Sequence, residues 1–119
     1  MNVALRKNGK GLGVYALSSF RKGDVIEDCP VLVGRHSDFN RGVLANYTFA
    51  WDRGKSALAM GCGSFYNHAW DPNATYRFRH RQKLIRIVAR RPIRMGEEIF
   101  ISYNGDPDDR SPVGFRVRS

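Results

Sequence analysis

The chain contains the stretch Ser64-Phe65-Tyr66-Asn67-His68-Ala69-Trp70-Asp71-Pro72-Asn73, and a second segment, Glu97-Glu98-Ile99-Phe100-Ile101-Ser102-Tyr103, ends thirty residues after Asn73. The first segment sets an Asn-His pair beside Pro and Asn, which favour turns and leave polar groups available. The second is an apolar run typical of a β-strand, and it closes on a tyrosine whose hydroxyl can stand at the strand end. Together the two segments predict a small polar site.

Neither segment matches a common metal, phosphate or nucleophile motif. Cys29 and Cys62 are the only cysteines of the sequence, too few for a four-thiolate zinc site. We expect both to be reduced, buried thiols, and we predict no metal.

Length and composition predict one compact module. A chain of 119 residues is long enough for one domain and too short for two. No apolar run approaches the roughly 20 residues of a membrane span. We therefore expect a single core and a soluble, intracellular protein without a membrane partner.

The net charge is +9, and the basic residues are concentrated in one region. Residues 77–94 contain eight arginines and lysines, plus His80, without an acid among them. One interpretation is a solvated strand pair that keeps the protein soluble. The other is a surface that contacts the nucleic-acid backbone without reading bases. The sequence leaves both open.

Short apolar segments separated by Gly and Pro outnumber anything helical. Strands are predicted at residues 25–26, 31–33, 57–62, 75–80, 84–89 and 99–103. The segments 75–80 and 84–89 are joined by three polar residues, a spacer of hairpin length, so we expect them to pair antiparallel. One short helix is predicted over residues 40–45, capped by Ser37-Asp38, although Gly42 falls inside it.

A third segment lies near the start of the chain, Gly11-Leu12-Gly13-Val14-Tyr15-Ala16. In this order the three segments resemble the signatures of the SET-domain protein lysine methyltransferases: a Gly-x-Gly opening, an Asn-His loop ending in Pro-Asn, and a Glu-Glu segment ending in Tyr. The resemblance covers about residues 7–105, and Ser64 and Ala69-Trp70 depart from the family's Arg and Ser-Cys. It implies a mainly β SET-domain fold of small curved sheets, a knot-like threaded C-terminal segment and little helix, as one domain over residues 1–119.

The resemblance also implies an S-adenosylmethionine-dependent protein lysine N-methyltransferase. Each residue has a simpler interpretation beside the functional one: the glycines could serve only turns, His68 could be structural, and Tyr103 could be a core aromatic. On the functional interpretation Tyr103 is catalytic, and the methyl donor is bound by Gly11, Leu12, Gly13, Tyr15, Asn67 and His68.

On the substrate side, Tyr47 lies where the family often supplies a channel aromatic, although core packing is an equal alternative. Ile101 occupies the family's product-state position and carries no hydroxyl, which predicts addition of two or three methyl groups. A basic peptide substrate needs a local acidic groove on a protein of this charge. Asp106, Asp108 and Asp109 are predicted to form it, and Glu27-Asp28 and Asp38 are the alternatives. Glu97-Glu98 is either a solvated turn or an anchor of the threaded segment.

The chain lacks the cysteine-rich flanks of larger family members. In this it resembles the small stand-alone SET proteins of large DNA viruses of algae, which methylate histone H3 at position 27 and act as dimers. That likeness predicts a histone H3 substrate, a homodimer and the host nucleus, or the cytoplasm if the source is bacterial. It also predicts that the tail 106–119 closes the site. The alternative function is a catalytically inactive basic module that binds nucleic acid or chromatin, and a third is a structural or interaction protein.

Overall fold

The computed structural model describes residues 2–9 and 11–103. This part of the chain is mainly β, as predicted, with nine strands and little helix. In chain order the strands are β1 (Val3–Asn8), β2 (Gly11–Ala16), β3 (Val25–Arg35), β4 (Thr48–Asp52), β5 (Lys55–Ala59), β6 (Asn67–His68), β7 (Ala74–Arg79), β8 (Leu84–Ala89) and β9 (Glu98–Ile101). One helix, α1, spans His36–Phe39, and 3₁₀ turns span Gly42–Asn46 and Gly63–Phe65.

The first sheet has four strands in the order β1-β2-β9-β6. β9 pairs antiparallel with β2 and parallel with β6. A late segment of the chain is thus inserted between an early strand and the strand formed by Asn67 and His68. This insertion is the part of the predicted threaded arrangement that falls within the described residues.

The second sheet has five strands in the order β4-β5-β3-β8-β7. The antiparallel β7–β8 hairpin confirms the pairing expected from the sequence. The two segments predicted around Pro30 are instead one continuous strand, β3. Pro30 is tolerated because β3 changes partner there, from β8 up to Pro30 to β5 from Val31 onward, so its missing N–H interrupts neither ladder.

The five-stranded sheet curls until aromatic side chains of its two edge strands touch. Phe49 of β4 lies 5.0 Å from Tyr76 and 6.2 Å from Phe78 of β7, measured between ring centroids. Trp51 lies 5.1 Å from Phe78. These edge-to-face and tilted pairs are the arrangements that aromatic rings prefer, and they produce the curvature that the family resemblance predicted.

The core lies between the two sheets and is built from the inward faces of their strands. Its fully buried members include Val14, Ile85, Ile87, Ile99 and Ile101, all 0% exposed. No helix among residues 2–9 and 11–103 is long and apolar enough to cross a membrane. The assignment of residues 1–119 to one domain stays a prediction, and the tail 106–119 lies outside the described residues.

The predicted helix over residues 40–45 is wrong in position. The helix lies earlier, at His36–Phe39, and Ser37 and Asp38 fall inside it rather than before it. Gly42 begins a separate 3₁₀ turn with a φ of +61°, a left-handed conformation that a continuous α-helix cannot contain.

The two cysteines are free and buried, as predicted. Burial raises the pKa of the Cys29 thiol, and the neighbouring Glu27 carboxylate raises it further. Burial likewise raises the pKa of Cys62. Both therefore stay protonated and unreactive at neutral pH.

Candidate active site

One face of the four-stranded sheet collects several of the predicted donor-binding residues. Gly13 and Tyr15 lie two apart on β2, Tyr15 is opposite Glu98 on β9, and Asn67 of β6 is opposite Phe100. Because strand residues two apart share a face, Gly13, Tyr15, Glu98 and Asn67 point the same way. The intervening residues, including Val14 and Ile99, point into the core.

The carboxylate of Glu98 joins these side chains. It accepts hydrogen bonds from Asn67 Nδ2 at 2.8 Å, from the Tyr15 hydroxyl at 3.2 Å and from Asn8 Nδ2 at 3.2 Å. Asn8 Nδ2 also donates to the Tyr15 hydroxyl at 2.9 Å. We call Asn8, Gly13, Tyr15, Asn67 and Glu98 the Glu98 cluster. Of the two interpretations left open for Glu97-Glu98, the structure thus supports the anchor for Glu98.

The side-chain amide of Asn67 is oriented by these contacts. Its Nδ2 donates to both Glu98 and the carbonyl oxygen of Leu12, the latter at 3.0 Å. Its Oδ1 is buried and has no hydrogen-bond partner within the described part of the chain. A buried acceptor left unpaired costs free energy, so this atom is suited to a hydrogen-bond donor group on a ligand.

Asn73 holds β9 in place beside this cluster. Its Nδ2 donates to the carbonyl oxygen of Glu98 at 2.9 Å, and its Oδ1 accepts from the Phe100 N–H at 2.8 Å. The Asn73 amide therefore provides hydrogen-bond partners for two backbone groups of β9, in addition to the pairing of β9 with the short strand β6. Its sequence setting, Pro72-Asn73, predicted only a turn.

His68 lies on the other face of β6, away from the Glu98 cluster. Its Nδ1 accepts a hydrogen bond from the backbone N–H of Tyr103 at 2.9 Å, and its ring packs against Trp70 and Tyr103. Burial lowers the pKa of the imidazole below its ordinary value of 6.5, so the ring is neutral. The structure brings His68 to the predicted catalytic tyrosine rather than to Gly13.

A pocket of about 510 Å³ opens inside the curled five-stranded sheet. Three residues predicted for substrate binding and catalysis line it: Tyr47, Ile101 and Tyr103. Tyr66, Tyr76, Phe49 and Phe78 add further aromatic walls. An aromatic pocket of this kind can surround the aliphatic stem of a lysine and remove water from its amine.

The pocket and the Glu98 cluster meet at two consecutive residues. Tyr66 lines the pocket, whereas the side chain of Asn67 belongs to the cluster. The Tyr103 hydroxyl donates to the backbone carbonyl of Tyr66 at 2.8 Å, at this junction. Tyr66 is itself held by its hydroxyl, which donates to Glu27 Oε1 at 2.8 Å.

A family model described as the SET domain matches residues 11–104, a span that contains all of these residues except Asn8. The chain belongs to the SET-domain family. The matched span contains β2 to β9 and every residue that lines the pocket.

Two curated relatives of this SET domain are histone-lysine N-methyltransferases. That of Schizosaccharomyces pombe, named as specific for lysine 37 of H3, is 37% identical over 98 residues, which cover 79% of this chain and 67% of the relative. The Drosophila melanogaster protein trr is 30% identical over 126 residues, which cover 92% of this chain and 5% of the relative. Family membership and these relatives support protein-lysine methyltransferase activity.

Solved structures agree on the fold. A histone methyltransferase candidate from Plasmodium falciparum superimposes with a TM-score of 0.71 at 27% identity, covering 86% of this chain and 92% of that one. A chain of an active polycomb repressive complex 2 superimposes with a TM-score of 0.74 at 23% identity, covering 87% of this chain and 15% of that one. The latter likeness concerns the fold alone.

Seven of the eight arginines and lysines at 77–94 fall into two groups. Three of the run at 77–94 make internal contacts: Arg86 pairs with Asp28 through two hydrogen bonds, Arg90 donates to the Pro72 carbonyl, and Arg91 pairs with Asp71. Exposed on the β7–β8 hairpin are Arg77, Arg79, Arg81 and Lys83. We call these last four the basic hairpin.

Several contributors to the site were missed from the sequence. The pairing of β9 with β2 gives Glu98 its role, and no local pattern predicts which late strand enters that sheet. No sequence pattern assigns Tyr66 of the Asn-His loop, or Tyr76 of the strand predicted at 75–80, to a pocket. Asp106, Asp108 and Asp109, the predicted acidic groove, lie outside the described residues.

Proposed function

We propose that this SET domain is an S-adenosylmethionine-dependent protein-lysine N-methyltransferase that acts on the tail of histone H3. The observation that carries the proposal is the meeting of an aromatic pocket with a polar cluster at Tyr66 and Asn67, where the Tyr103 hydroxyl also lies. Methyl transfer requires two ligands whose reacting atoms face each other, and this arrangement offers one site for each.

The Glu98 cluster has the chemistry to hold the methyl donor. Asn67 Oδ1, which has no hydrogen-bond partner among residues 2–9 and 11–103, is an acceptor beside a carboxylate, and it would accept a hydrogen bond from the donor's ammonium group. When bound, S-adenosylmethionine supplies a methyl group on a positively charged sulfur. The residues proposed to contact it are Gly11, Leu12, Gly13, Tyr15, Asn67 and His68, with His68 acting through its backbone.

The pocket would hold the target lysine and prepare its amine. An amine with a solution pKa of about 10.4 must lose its proton before it can attack. Tyr47, Tyr66 and Tyr76 surround the side chain with apolar surface, and removal of water lowers that pKa. Because the Tyr103 O–H donates its hydrogen bond to the Tyr66 carbonyl, its oxygen acts as an acceptor toward an N–H of the reacting amine. Alignment then supplies much of the rate enhancement.

The number of methyl groups added depends on space around the amine. Ile101 lines the pocket, and its side chain carries no hydroxyl. It therefore cannot hydrogen-bond a water molecule in the space that a further methyl group on the lysine amine would need. We propose that the enzyme adds two or three methyl groups.

The substrate proposal rests on the relatives and on charge. Position 27 of H3 is our first assignment, from the resemblance to the small viral proteins, whereas the yeast relative is named for lysine 37. Asp106, Asp108 and Asp109 would receive basic residues beside the target lysine. Neutralising these three aspartates together should raise the peptide KM, and an unchanged KM would remove that part of the proposal.

A chromatin substrate is also compatible with the positive charge of the protein, because nucleosomal DNA is negatively charged. We propose that the basic hairpin contacts nucleosomal DNA through its phosphates. We propose that the enzyme acts in the host nucleus if the source is a eukaryotic virus, and in the cytoplasm if the source is bacterial. The homodimer and the viral source stay predictions, and light scattering tests the first.

The experiment is incubation with S-adenosylmethionine and, separately, histone H3, intact nucleosomes and a mixture of non-histone proteins, followed by mass spectrometry of every lysine. Methylated H3 lysine supports the proposal. Methylation confined to the non-histone mixture rejects the histone substrate but keeps the enzyme. Absence of donor binding by calorimetry, with retained DNA binding, favours the inactive basic module instead.

A further inference from the structure

We propose that Glu98 is a positioning residue for the cationic end of the methyl donor, acting through the side-chain amide of Asn67. This inference rests on the proposed function, because it assumes that the Glu98 cluster receives S-adenosylmethionine. It gives an acidic residue of β9 a role in donor binding, which the sequence predicted for the glycines, Tyr15 and the Asn-His pair.

The first observation is that, within the part of the chain that the structure describes, every group hydrogen-bonded to the Glu98 carboxylate is a neutral donor. These groups are the amides of Asn67 and Asn8 and the hydroxyl of Tyr15. No Lys, Arg or His among residues 2–9 and 11–103 forms an ion pair with Glu98. A partly buried carboxylate stabilised only by dipoles keeps its attraction for a cationic ligand.

The second observation is the direction of the Asn67 amide. A carboxylate can only accept, so Glu98 compels the Nδ2 of Asn67 to face it. The Leu12 carbonyl demands the same orientation. Consequently the buried Oδ1 is presented on the opposite side of the amide, where it has no partner within the described residues. An acceptor in that position binds an ammonium group, whereas a flipped amide would present its own N–H groups and repel it.

The third observation is that there is no room for a side chain at position 13. A β-carbon added at Gly13 would lie 2.5 Å from Glu98 Oε2 and 3.2 Å from Asn67 Nδ2. The glycine therefore allows the carboxylate and the amide to meet directly beneath β2. Any residue with a side chain at position 13 would separate them.

Glu98→Gln is the informative change, because it keeps the shape and replaces one acceptor oxygen by an NH₂ group. That NH₂ would face groups that now donate hydrogen bonds to position 98, so the Asn67 amide would rotate to present its oxygen instead. Glu97→Gln is the matched control, since it removes the same charge from the exposed neighbouring residue.

Calorimetry should use three ligands. S-adenosylmethionine has both the ammonium and the sulfonium, S-adenosylhomocysteine keeps only the ammonium, and 5′-methylthioadenosine has neither. For Glu98→Gln we expect about 10-fold or greater loss of affinity for the first two ligands and less than about 2-fold for the third. Glu97→Gln should leave all three within about 2-fold of the unmodified protein.

The outcomes separate this inference from the proposed function. If the unmodified protein binds none of the three ligands, the methyl-donor proposal fails and this inference fails with it. If it binds them and Glu98→Gln binds all three equally well, the donor site stands and Glu98 has no positioning role. If all three affinities fall together, Glu98 is only structural. If the variant does not fold by circular dichroism, Asn67→Asp provides the test, because a second carboxylate beside Glu98 should change binding of the first two ligands far more than binding of the third. Equal changes for all three ligands would overturn the inference.

Discussion

The α-carbon of Gly13 lies directly against the carboxylate of Glu98, so closely that a β-carbon at position 13 would be 2.5 Å from Oε2. This contact joins β2 to β9, two strands that are more than eighty residues apart in the chain. It explains why position 13 is a glycine: the Glu98 carboxylate occupies the space that a side chain would need, and there it accepts the hydrogen bond from Asn67 Nδ2.

Gly13→Ala should therefore weaken donor binding as well as stability. The added methyl group displaces the Glu98 carboxylate from Asn67, at an expected cost of roughly 1–3 kcal/mol in the free energy of unfolding. Urea denaturation and calorimetry with S-adenosylmethionine measure the two effects. Gly9→Ala is the control, because a β-carbon there meets nothing within 4 Å. Equal behaviour of the two variants would contradict the close contact.

The neutral His68 should make stability depend on pH. Its folded pKa lies below the ordinary 6.5, so the unfolded chain binds a proton that the folded chain does not as pH falls below about 6.5. The stabilisation is complete above that pH and is lost progressively below it. Urea denaturation between pH 7.5 and 5 should show this fall, and His68→Gln should show a smaller one. His36 and His80 are present in both proteins, so parallel pH profiles would contradict the buried neutral ring.

Much of the fold could be predicted because the strand signals are local. The alternation over residues 75–80 and the apolar run over residues 84–89, with three polar residues between them, are sufficient to predict a hairpin, and the structure confirms it. The three short segments and their order were sufficient for the family. The helix was predicted too late in the chain because Ser37-Asp38 has the composition of an N-cap. A helix could not continue through residues 40–45, because Gly42 adopts a left-handed φ.

Ile101 should set the number of methyl groups. Because its buried side chain lines the pocket without a hydroxyl, the unmodified enzyme should produce di- or trimethyl-lysine. Ile101→Tyr narrows the pocket and should shift the product to monomethyl-lysine, while Ile101→Val should keep the original distribution. Mass spectrometry of an H3 peptide after extended incubation reads the products. A monomethyl product from the unmodified enzyme would contradict this account.

The basic hairpin should account for DNA affinity more than net charge does. Arg77→Glu with Arg79→Glu should lower the slope of log affinity against log salt by about 1.8, if each arginine neutralises one phosphate. The double change Arg21→Glu with Lys22→Glu alters net charge equally at another exposed turn and should lower the slope much less. Fluorescence anisotropy with a short duplex measures both, and equal losses would favour a non-specific charge effect.

The site was harder to predict than the fold because it depends on contacts between distant strands. Asn67 and His68 are adjacent in sequence, yet strand alternation sends their side chains to opposite faces, one to Glu98 and the other to Tyr103. The sequence assigned them one task. Likewise the basic run 77–94 appeared uniform, but Arg86, Arg90 and Arg91 are engaged with Asp28 and the 71–72 turn, partners that only the folded chain brings near.

The central claim is that the Tyr103 hydroxyl, held by the Tyr66 carbonyl, assists methyl transfer at the junction of pocket and cluster. Single-turnover methylation of histone H3 by Tyr103→Phe tests it most directly. We predict a loss of about 100-fold or more in the transfer rate, with donor affinity within about 2-fold of the unmodified protein. Transfer at the unmodified rate would contradict the account.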